Sequence, residues 1–383
     1  MYDLLKGIRI IDFTHVWQGP LATLMLADFG ADVIKIERPN RGDWSRAWGP
    51  FKNGMSLPFA GLNRNKRSIS IDFKSEKGKA QLQALLADAD VLVHNFRPGV
   101  DQKNGIDYVS LHKKFPRLVY ASSSGWGDQG PDVQRGRAGH AQMAAAEGGL
   151  FSPLNSKYNP APPSISVDHV AGLILCNAIL SGLMFRERTG KGVCVTTDLL
   201  SASLSAHVWD GPQKINKELS VLEEDDLTAT EQAIGHCWAT SDGYIEVSPV
   251  FSDNPLQMIC DALGIPEIAS DIKFATSSVQ LQNSEELREI LANRFVSRTT
   301  EEWFSILEAQ GILCARINTP AEALDNPQAK ANDMIVNVDH PQFGELKLLG
   351  CPIRVNRRKN KSMPPPLHGE HTKDILEELN IKD

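Results

Sequence analysis

A carboxylate at the start of an apolar helix is the feature of this sequence with the clearest capacity for chemistry. Asp168 stands directly before residues 170–184, which are apolar on nearly every face of a predicted helix. The helix dipole and free backbone N–H groups favour an anion at that place. The position alone predicts an N-cap, a role that Ser164 or Ser166 could also fill. A reactive carboxylate is the alternative, and the rest of the chain has to decide between the two.

The helix after Asp168 is expected to lie in a protein core, because a helix that is apolar all round is a buried one. It is too short, and too often interrupted by Gly and Asn, to span a bilayer. A net charge of −7 on 383 residues argues against general binding to nucleic acid or to a membrane surface. The N-terminus enters a strand without a signal peptide, so we expect a cytoplasmic protein.

Six cysteines are scattered along the chain, with no CxxC spacing and no cluster of cysteine with histidine. Zinc sites and disulfide frameworks need such spacings, so neither is expected. We therefore predict no metal, and the chemistry has to come from carboxylates, histidines and basic side chains.

The first forty residues contain a strand–helix–strand unit. Residues 8–13 are a short β-branched run, residues 21–29 carry apolar side chains at helical spacing, and residues 31–37 form the next strand. Such a unit predicts a parallel sheet with a right-handed crossover, and so an α/β fold. The first turn lacks the GxGxxG fingerprint, so a dinucleotide site is not expected there.

Polar loops follow the predicted strands at their carboxyl ends. They include residues 15–20, Arg38, residues 94–99 and residues 122–127. Ligands of open α/β sheets bind in the crevice outside the carboxyl ends of the strands. The sequence therefore predicts that these loops form the walls of the ligand site.

The pattern changes after about residue 207. A strand at 243–248, a helix at 256–263 and a capping box formed by Thr299 and Glu302 predict a smaller α/β domain. Strands return after residue 333, and a last helix is expected at 373–379. We predict a large domain made of residues 1–207 and 331–383, with the small domain and its linkers at 208–330.

Seven short segments, in order along nearly the whole chain, resemble the family III CoA-transferases. They are LKGIRIID at 5–12, LADFGADVIKIE at 26–37, NKRSI at 65–69, NFRPG at 95–99, GWG at 125–127, TGKG at 189–192 and GEHT at 369–372. Each segment is weak alone, but seven in one order are specific. The family includes the formyl-CoA:oxalate and carnitine CoA-transferases and the related α-methylacyl-CoA racemase.

The resemblance implies a fold that spacing alone does not give. It implies a doubly wound, Rossmann-like large domain and a smaller α/β domain, in two ring-like subunits interlocked as a homodimer. The catalytic aspartate of the family matches Asp168. A carboxylate there attacks an acyl-CoA thioester, and CoA passes through an aspartyl anhydride and an aspartyl-CoA thioester to an acceptor acid. This implication favours the reactive carboxylate over the simple cap.

The resemblance also implies where coenzyme A binds. Acyl-CoA is a substrate rather than a permanently bound cofactor, and a small carboxylic acid is the other partner. Arg38, Lys74 and Lys103 match the phosphate partners of the family, although surface Lys and Arg are more often merely solvated. The full set implied for CoA binding is His15, Val16, Trp17, Arg38, Ile71, Lys74, Asn95, Phe96, Lys103 and Arg137.

The chain departs from the family pattern at two places. The glycine-rich loop of formyl-CoA transferases is absent between Trp238 and Phe251, so oxalate is not a safe choice of acceptor. His140 stands where the racemase branch has histidine followed by aspartate, but Ala141 follows here. An acyl-CoA racemase in which Asp168 and His140 exchange the α-proton is therefore the alternative function.

Overall fold

The computed structural model describes residues 1–151, 166–209, 211–216, 230, 233–248, 253–357 and 361–381. The chain forms two compact units, one made of residues 1–211 with 327–383 and the other of residues 212–326. Ser164, one of the possible caps of the long helix, lies outside the described residues.

The first unit is built on a parallel sheet of six strands in the order β5-β2-β1-β6-β7-β8. Its strands, together with a small hairpin of β3 and β4, are β1 (Arg9–Asp12), β2 (Asp32–Glu37), β3 (Phe51–Lys52), β4 (Met55–Ser56), β5 (Arg67–Ser70), β6 (Val91–His94), β7 (Val119–Ser124) and β8 (Cys194–Asp198). The parallel sheet and the α/β class are confirmed. The strand order runs outward in both directions from the pair β1 and β6, and this pair is therefore a topological switch point.

The helices of the first unit connect these strands. They are α1 (Gln18–Asp28), α2 (Leu57–Asn63), α3 (Glu76–Ala87), α4 (Val100–Lys103), α5 (Tyr108–Lys114), α6 (Pro131–Gln134), α7 (Ala141–Glu147), α8 (Val167–Thr189) and α9 (Leu199–Ser205), followed by α10 (Gly211–Ile215) at the unit boundary. Helix α1 begins three residues earlier than predicted, so Gln18 to Pro20 are helical rather than loop. Proline is compatible with a first turn because its missing N–H has no partner there.

The second unit carries an antiparallel sheet in the order β11-β10-β9. Its elements are β9 (Cys237–Ala239), β10 (Tyr244–Ser248), α11 (Pro255–Leu263), α12 (Pro266–Ala269), α13 (Ser277–Gln282), α14 (Ser284–Phe295), α15 (Thr300–Ala309), β11 (Leu313–Arg316) and α16 (Pro320–Asp325). The predicted capping box of Thr299 and Glu302 is confirmed, with both reciprocal hydrogen bonds present at the start of α15. Trp303 and Phe295 fill the middle of this unit's core.

The chain re-enters the first unit through α17 (Pro327–Ala331), an antiparallel pair of β12 (Ile335–His340) and β13 (Gly344–Leu349), and α18 (Thr372–Glu378). Helix α18 packs beside α3, where Ile375 and Leu376 share one core cluster with Leu82 and Leu86. Alternate strand residues point to opposite faces of the sheet. On the other face Val91 and Val93 pack with α1 and α8. The sheet is thus covered by helices on both sides.

Helix α8 runs from Val167 to Thr189, longer at both ends than predicted. With 23 residues it is long and apolar enough to cross a membrane by length and composition, so the prediction that it is too short was wrong. Leu175 and Ile179 are nevertheless buried against the sheet in a core cluster. The helix ends at Gly190 in the left-handed conformation that glycine adopts without strain. Its packing makes α8 a core helix of the unit.

Asp168 is the second residue of α8, and Ser166 occupies the N-cap position. The prediction that Asp168 caps the helix was therefore wrong. Ser166 makes no capping hydrogen bond with its side chain within the described residues. The carboxylate of Asp168 lies in the first turn, where it meets the positive end of the helix dipole without being used as a cap.

Candidate active site

The switch point brings together the loops that follow β1 and β6. The backbone N–H of His15 donates to Oδ1 of Asn95 at 2.9 Å, and Nδ2 of Asn95 donates to the carbonyl of His15 at 2.8 Å. These two reciprocal bonds tie together the parts of the chain at which ligands of open α/β sheets bind. Two residues predicted for CoA binding are therefore neighbours at the carboxyl edge of the sheet.

A buried ion pair also fixes the loop that follows β1. Nζ of Lys35 lies 2.8 Å from Oδ2 of Asp43 and donates to the carbonyl of Thr14, and both side chains of the pair are 0% exposed. Oδ1 of Asp43 accepts the backbone N–H of Val16. Burial raises the pKa of Asp43, but the charges of Lys35 and His15 and the hydrogen bonds from Lys35 and Ser45 together outweigh burial, and the net pKa lies below the ordinary value. The carboxylate is therefore a permanent anchor for this loop.

Val16 adopts a backbone φ of 73°, in the left-handed region. A β-branched side chain is rarely found there, and such a conformation costs about 1–3 kcal/mol. It persists only where the surroundings hold it in place. The clamp formed by Asn95, Asp43 and Lys35 gives the loop of His15, Val16 and Trp17 that support. We call Asn95, Asp43 and Lys35 the loop clamp.

A cavity of about 910 Å³ opens beside these loops. Arg38, Lys74 and Lys103, the three predicted phosphate partners, all line it, as does Phe96. No carboxylate is among its lining residues, and these three cations form no ion pair within the described part of the chain. We call this space the cation cavity. Its charge suits a polyanion, because facing cations without counter-ions attract one.

Two further lysines, Lys79 of α3 and Lys114 of α5, also line the cation cavity. The sequence interpretation gave them no role, since neither lies in a recognisable segment. Nζ of Lys79 is already 2.7 Å from Oε1 of Glu76. The sequence predicts an amphipathic helix over residues 75–87, which carries Lys79, but it predicts no helix that carries Lys114.

A second cavity of about 260 Å³ continues from the first, since Phe96, Val100 and Lys103 line both. Asn95 and Arg137 contribute to its wall. The two cavities together form one channel along the carboxyl edge of the sheet.

The backbones of Gly125 and Gly139 meet at the wall of the smaller cavity. A Cβ on either glycine would lie 2.4 Å from the Cα of the other. No side chain fits between the two loops, and glycine is required at both positions. This contact fixes the loop that leads into His140.

Arg137 is held by its own neighbours at the smaller cavity. Its guanidinium lies 3.9 Å from the ring centre of Trp126, pairs with Asp132 at 3.1 Å, and also pairs with Glu147. Its charge is therefore already balanced by two carboxylates. The structure brings Arg137 to the channel, but in a different electrostatic state from Arg38, Lys74 and Lys103.

Four residues predicted for CoA binding lie outside the walls of both cavities, namely His15, Val16, Trp17 and Ile71. The side chain of Ile71 is 1% exposed and belongs to the core cluster with Phe13 and Phe73. Val16 and Trp17 belong to the clamped loop, and Trp17 is 41% exposed at the start of α1. The structure therefore does not bring Ile71 to the channel, while Trp17 stands on the surface beside it.

Asp168 lies at the same edge of the sheet as the channel. A Cβ at Gly172, one turn further along α8, would lie 2.8 Å from the carbonyl of Gln18. Residues four apart share one helix face, so Asp168 faces the start of α1 and the clamped loop. Burial raises the pKa of Asp168 to about 6, with His140 opposing this rise. The helix start was expected to favour the ionised carboxylate, whereas burial, the largest cause of the shift, acts in the opposite direction.

His140 is the N-cap of α7, and its Nδ1 accepts the backbone N–H of Gln142 at 3.2 Å. The imidazole is exposed, and it stabilises the charge of Asp168 electrostatically. Ala141, the next residue, packs in one core cluster with Val167, which precedes Asp168. The starts of α7 and α8 therefore bring His140 and Asp168 into one neighbourhood.

Charged side chains beneath the site were missed by the sequence interpretation. Nζ of Lys66 lies 3.3 Å from Oδ2 of Asp12, with both side chains fully buried. Burial lowers the pKa of Lys66 to about 8. Charges inside otherwise apolar strands, such as Asp12 and Lys35, were the signal that could have revealed this network, since unpaired charges are rarely buried. Among the described residues, no cluster suited to a metal ion is present.

The model of CoA-transferase family III matches residues 5–372 of the chain. The chain belongs to CoA-transferase family III. The succinyl-CoA:glutarate CoA-transferase of Mus musculus is 34% identical over 98% of this chain and 86% of its own length. The formyl-CoA:oxalate CoA-transferase of Rhodopseudomonas palustris (strain BisB18) is 32% identical over 99% of this chain and 94% of its own.

A crystal structure of a CaiB/BaiF family protein from Brucella suis has a TM-score of 0.84 and 31% identity, covering 99% of this chain and 100% of the other. These matches confirm the family resemblance and show that the protein is a CoA-transferase. The substrates of such an enzyme are CoA thioesters and carboxylic acids. The matches do not favour the racemase alternative, because the similar proteins named above act in CoA transfer.

Proposed function

We propose that this CoA-transferase moves CoA from an acyl-CoA to a small carboxylic acid with Asp168 as the nucleophile. The observation that carries the proposal is the position of Asp168 at the carboxyl edge of the sheet, the edge at which Arg38, Lys74 and Lys103 line a cavity and have no carboxylate partner among the described residues. A carboxylate of pKa about 6 is mostly ionised at neutral pH and more basic than an exposed one. Both properties suit attack on a thioester.

The chemistry proceeds in four steps. The Asp168 carboxylate attacks the thioester carbonyl, and the C–S bond breaks to give a mixed anhydride and the CoA thiolate. The thiolate attacks the aspartyl carbonyl and releases the donor acid, leaving an aspartyl-CoA thioester. An acceptor carboxylate then displaces the thiolate to form a second anhydride. The thiolate attacks the acceptor carbonyl of that anhydride, which yields the new acyl-CoA and restores Asp168.

The phosphates of CoA are proposed to lie in the cation cavity. A 3′-phosphate and a pyrophosphate need several cations, and Arg38, Lys74 and Lys103 line the space and have no ion pair in the part of the chain that the structure describes. Phe96 lies where the two cavities meet and would contact the adenine or the pantetheine. The remaining predicted binding residues keep that role as a proposal: His15, Val16, Trp17, Ile71, Asn95 and Arg137.

His140 is proposed to place the substrate rather than to move a proton. It lies close enough to Asp168 to stabilise its charge, and its Nδ1 is already occupied as the cap of α7. A racemase needs a second base that exchanges the α-hydrogen with solvent. The acceptor is proposed to be a dicarboxylic acid, because glutarate and oxalate appear in the names of the two relatives described above.

The homodimer remains a proposal, supported by apolar side chains on the surface of the first unit. Exposed apolar side chains on neighbouring helices suit a contact with another chain. These side chains, on α7, α8 and α9, are Met143, Leu173, Met184, Phe185 and Leu204. Interlocking of the two subunits, the predicted domain limits, the lack of a permanently bound cofactor, the lack of nucleic-acid and membrane partners, and the cytoplasmic location likewise stay predictions.

The test of the mechanism compares Asp168→Ala with His169→Ala, which changes the exposed neighbour of Asp168. We expect Asp168→Ala to lose more than about a thousandfold of the transferase rate while still binding CoA in calorimetry, because only the covalent steps are removed. Hydroxylamine added after a donor acyl-CoA should convert Asp168 of the wild type to a hydroxamate, seen by mass spectrometry. Appreciable transfer by Asp168→Ala would show that another group is the nucleophile.

The two reactions are separated by turnover in D₂O. Transfer of CoA between carboxylates leaves the α-hydrogen in place, and it requires an acceptor acid. We expect no deuterium in the product acyl-CoA and ping-pong kinetics, because an acyl-enzyme forms before the acceptor reacts. Deuterium uptake into a 2-methylacyl-CoA without any acceptor acid would favour the racemase.

A further inference from the structure

A chain of three buried or half-buried side chains runs beneath the cation cavity. Nε2 of His94 lies 2.6 Å from the hydroxyl of Tyr120, and that hydroxyl donates to Oδ2 of Asp101 at 3.0 Å. His94 ends β6, Tyr120 lies on β7, and Asp101 belongs to α4. The hydrogen bonds of these three side chains therefore join two adjacent strands of the sheet to a short helix outside the sheet.

The direction of these bonds follows from a fourth group. The backbone N–H of Phe96 donates to Nδ1 of His94 at 3.2 Å, so Nδ1 is an acceptor and the proton lies on Nε2. Nε2–H then donates to the oxygen of Tyr120, whose own O–H remains for Asp101. Burial lowers the pKa of His94 to about 4, which keeps the imidazole neutral at physiological pH. Every donor in the chain has one acceptor.

One end of the chain determines the position of Phe96. Its ring stacks on His94 with 4.9 Å between ring centres and an angle of 20°, and meets Phe13 edge to face at 5.9 Å. Phe96 lines both cavities. The chain thus fixes the aromatic ring at the junction of the channel from its buried side.

The other end determines the position of α4. This helix has only four residues, too few to be stable by their own hydrogen bonds. It begins after Gly99, which has a φ of 82°. Asp101 attaches it to the sheet through Tyr120, and Lys103 on the same helix faces the cation cavity. Loss of the bond at Asp101 would therefore let Lys103 move.

We propose that Tyr120 is a positioning residue for the acyl-CoA site, holding Lys103 through Asp101 and Phe96 through His94. The inference rests on the proposed CoA site. It assigns roles to three residues that do not line the channel at all. It also predicts an unexpected effect of Asp101 on CoA binding. This carboxylate lies two residues from Lys103, yet it promotes the binding of an anion.

The sign of the effect at Asp101 separates positioning from simple electrostatics. Removing a negative charge beside an anion site should tighten anion binding if only the field matters. If Asp101 positions Lys103, Asp101→Ala should weaken binding of CoA about tenfold. Asp101→Asn loses the same charge but keeps an oxygen that accepts from Tyr120. We expect it to bind CoA at least as tightly as the wild type.

The experiment measures the dissociation constant of CoA by calorimetry, and kcat at saturating acyl-CoA, for the full-length protein. Tyr120→Phe should weaken CoA binding about tenfold without changing kcat, and combining it with Asp101→Ala should add little, because both remove one bond. Tyr108→Phe is the matched control. The Tyr108 ring packs on Tyr120 at 5.8 Å, and its hydroxyl has no hydrogen bond within the described residues.

Unchanged or tighter CoA binding by Asp101→Ala would overturn the proposal, as would wild-type binding by Tyr120→Phe. Failure of the wild type to bind CoA would overturn the proposed function itself, and the inference with it. Should Tyr120→Phe not fold, the contrast between Asp101→Ala and Asp101→Asn decides alone, because Asp101 is only half-buried.

Discussion

The two edges of the parallel sheet both carry basic side chains beside a cavity, yet they use these cations differently. At the amino edge, Arg9 pairs with Asp32 at 2.9 Å, Arg67 pairs with Asp32 at 2.7 Å, and Arg186 pairs with Asp90 at 2.6 Å. A cavity of about 440 Å³ lies there. At the carboxyl edge, Lys79, paired with Glu76, is the only cation of the larger cavity with a carboxylate partner among the described residues.

Under the proposed function, pairing, rather than the presence of a cavity or of positive charge, distinguishes structural cations from binding cations. A cation that has a carboxylate within ion-pair distance gains little from a further anion. A cation that faces a cavity without a partner is solvated when the site is empty and can exchange water for phosphate at little cost. Paired cations at the carboxyl edge also include Lys79 and Arg137. The loop clamp is the exception among them, because Lys35 and Asp43 are fully buried.

The largest effect should come from that exception. Asp43→Asn leaves the buried charge of Lys35 without its main partner, and breaking such a pair costs about 3–5 kcal/mol. We expect a large fall in the melting temperature measured by calorimetry. Asp72→Asn, at an exposed carboxylate after β5, is the control and should change it little. A melting temperature close to wild type for Asp43→Asn would mean that Lys35 finds another partner, such as Asp12 or Glu37.

At the amino edge, Arg186→Ala should reduce stability by about 2 kcal/mol, because the guanidinium is buried while Asp90 is partly exposed. The transferase rate per folded molecule should not change. Arg188→Ala alters an exposed arginine two residues away that has no ion pair within the described chain. Thermal unfolding and activity measured on the same samples test both. A loss of activity without loss of stability would contradict the structural role of this edge.

At the carboxyl edge, Lys74→Ala should weaken binding of the acyl-CoA without reducing stability. Loss of one charge-assisted bond to phosphate costs about 1.5–3 kcal/mol. We therefore expect KM for the acyl-CoA to rise at least about tenfold while the melting temperature stays unchanged. Lys79→Ala, which removes a paired cation from the same cavity, should have a smaller effect. Equal effects of the two variants would show that pairing does not separate binding cations from structural ones.

The smallest expected effect is the pH dependence of turnover. With a pKa of about 6, Asp168 is about one-quarter ionised at pH 5.5 and almost fully ionised at pH 8. The nucleophile is the carboxylate, so the rate should fall as pH falls through 6 and should be level above 7. Initial rates at saturating donor across this range measure it. A rate that is constant down to pH 4.5 would show that Asp168 keeps an ordinary pKa.

Much of the sheet follows from the sequence because strand and helix periodicities are local properties. The strand–helix–strand unit at the N-terminus and the capping box at Thr299 depend on neighbouring residues, and the structure has both. The start of α8 was misplaced because Val167, Asp168 and His169 are not part of an apolar run. Ile69, Ile71 and Phe73 alternate with polar residues, which predicts a strand, but β5 ends at Ser70 although all three side chains are buried.

The site was harder to predict, because its properties arise from packing. Burial is the main cause of the raised pKa of Asp168, and the extent of burial cannot be predicted from the residues next to Asp168 in the sequence. Nothing in the sequence marks Val16 as left-handed, since the strain is imposed by Asp43 and Asn95 from distant segments. The family resemblance supplied Arg38, Lys74 and Lys103, and the structure places them in one cavity. Lys114 reaches the same cavity from a helix that no motif identifies.

Helix α8 connects the two edges as a rod of fixed length. Asp168 stands at its carboxyl-edge end and Arg186 at the other, about 27 Å apart at 1.5 Å per residue. One inserted residue between them would rotate Asp168 by about 100° relative to Arg186. The number of residues between Asp168 and Arg186 is therefore constrained, whereas the length of a surface loop is not. In a library of single-residue insertions, active members should be found after Arg186 and not between Gly172 and Arg186.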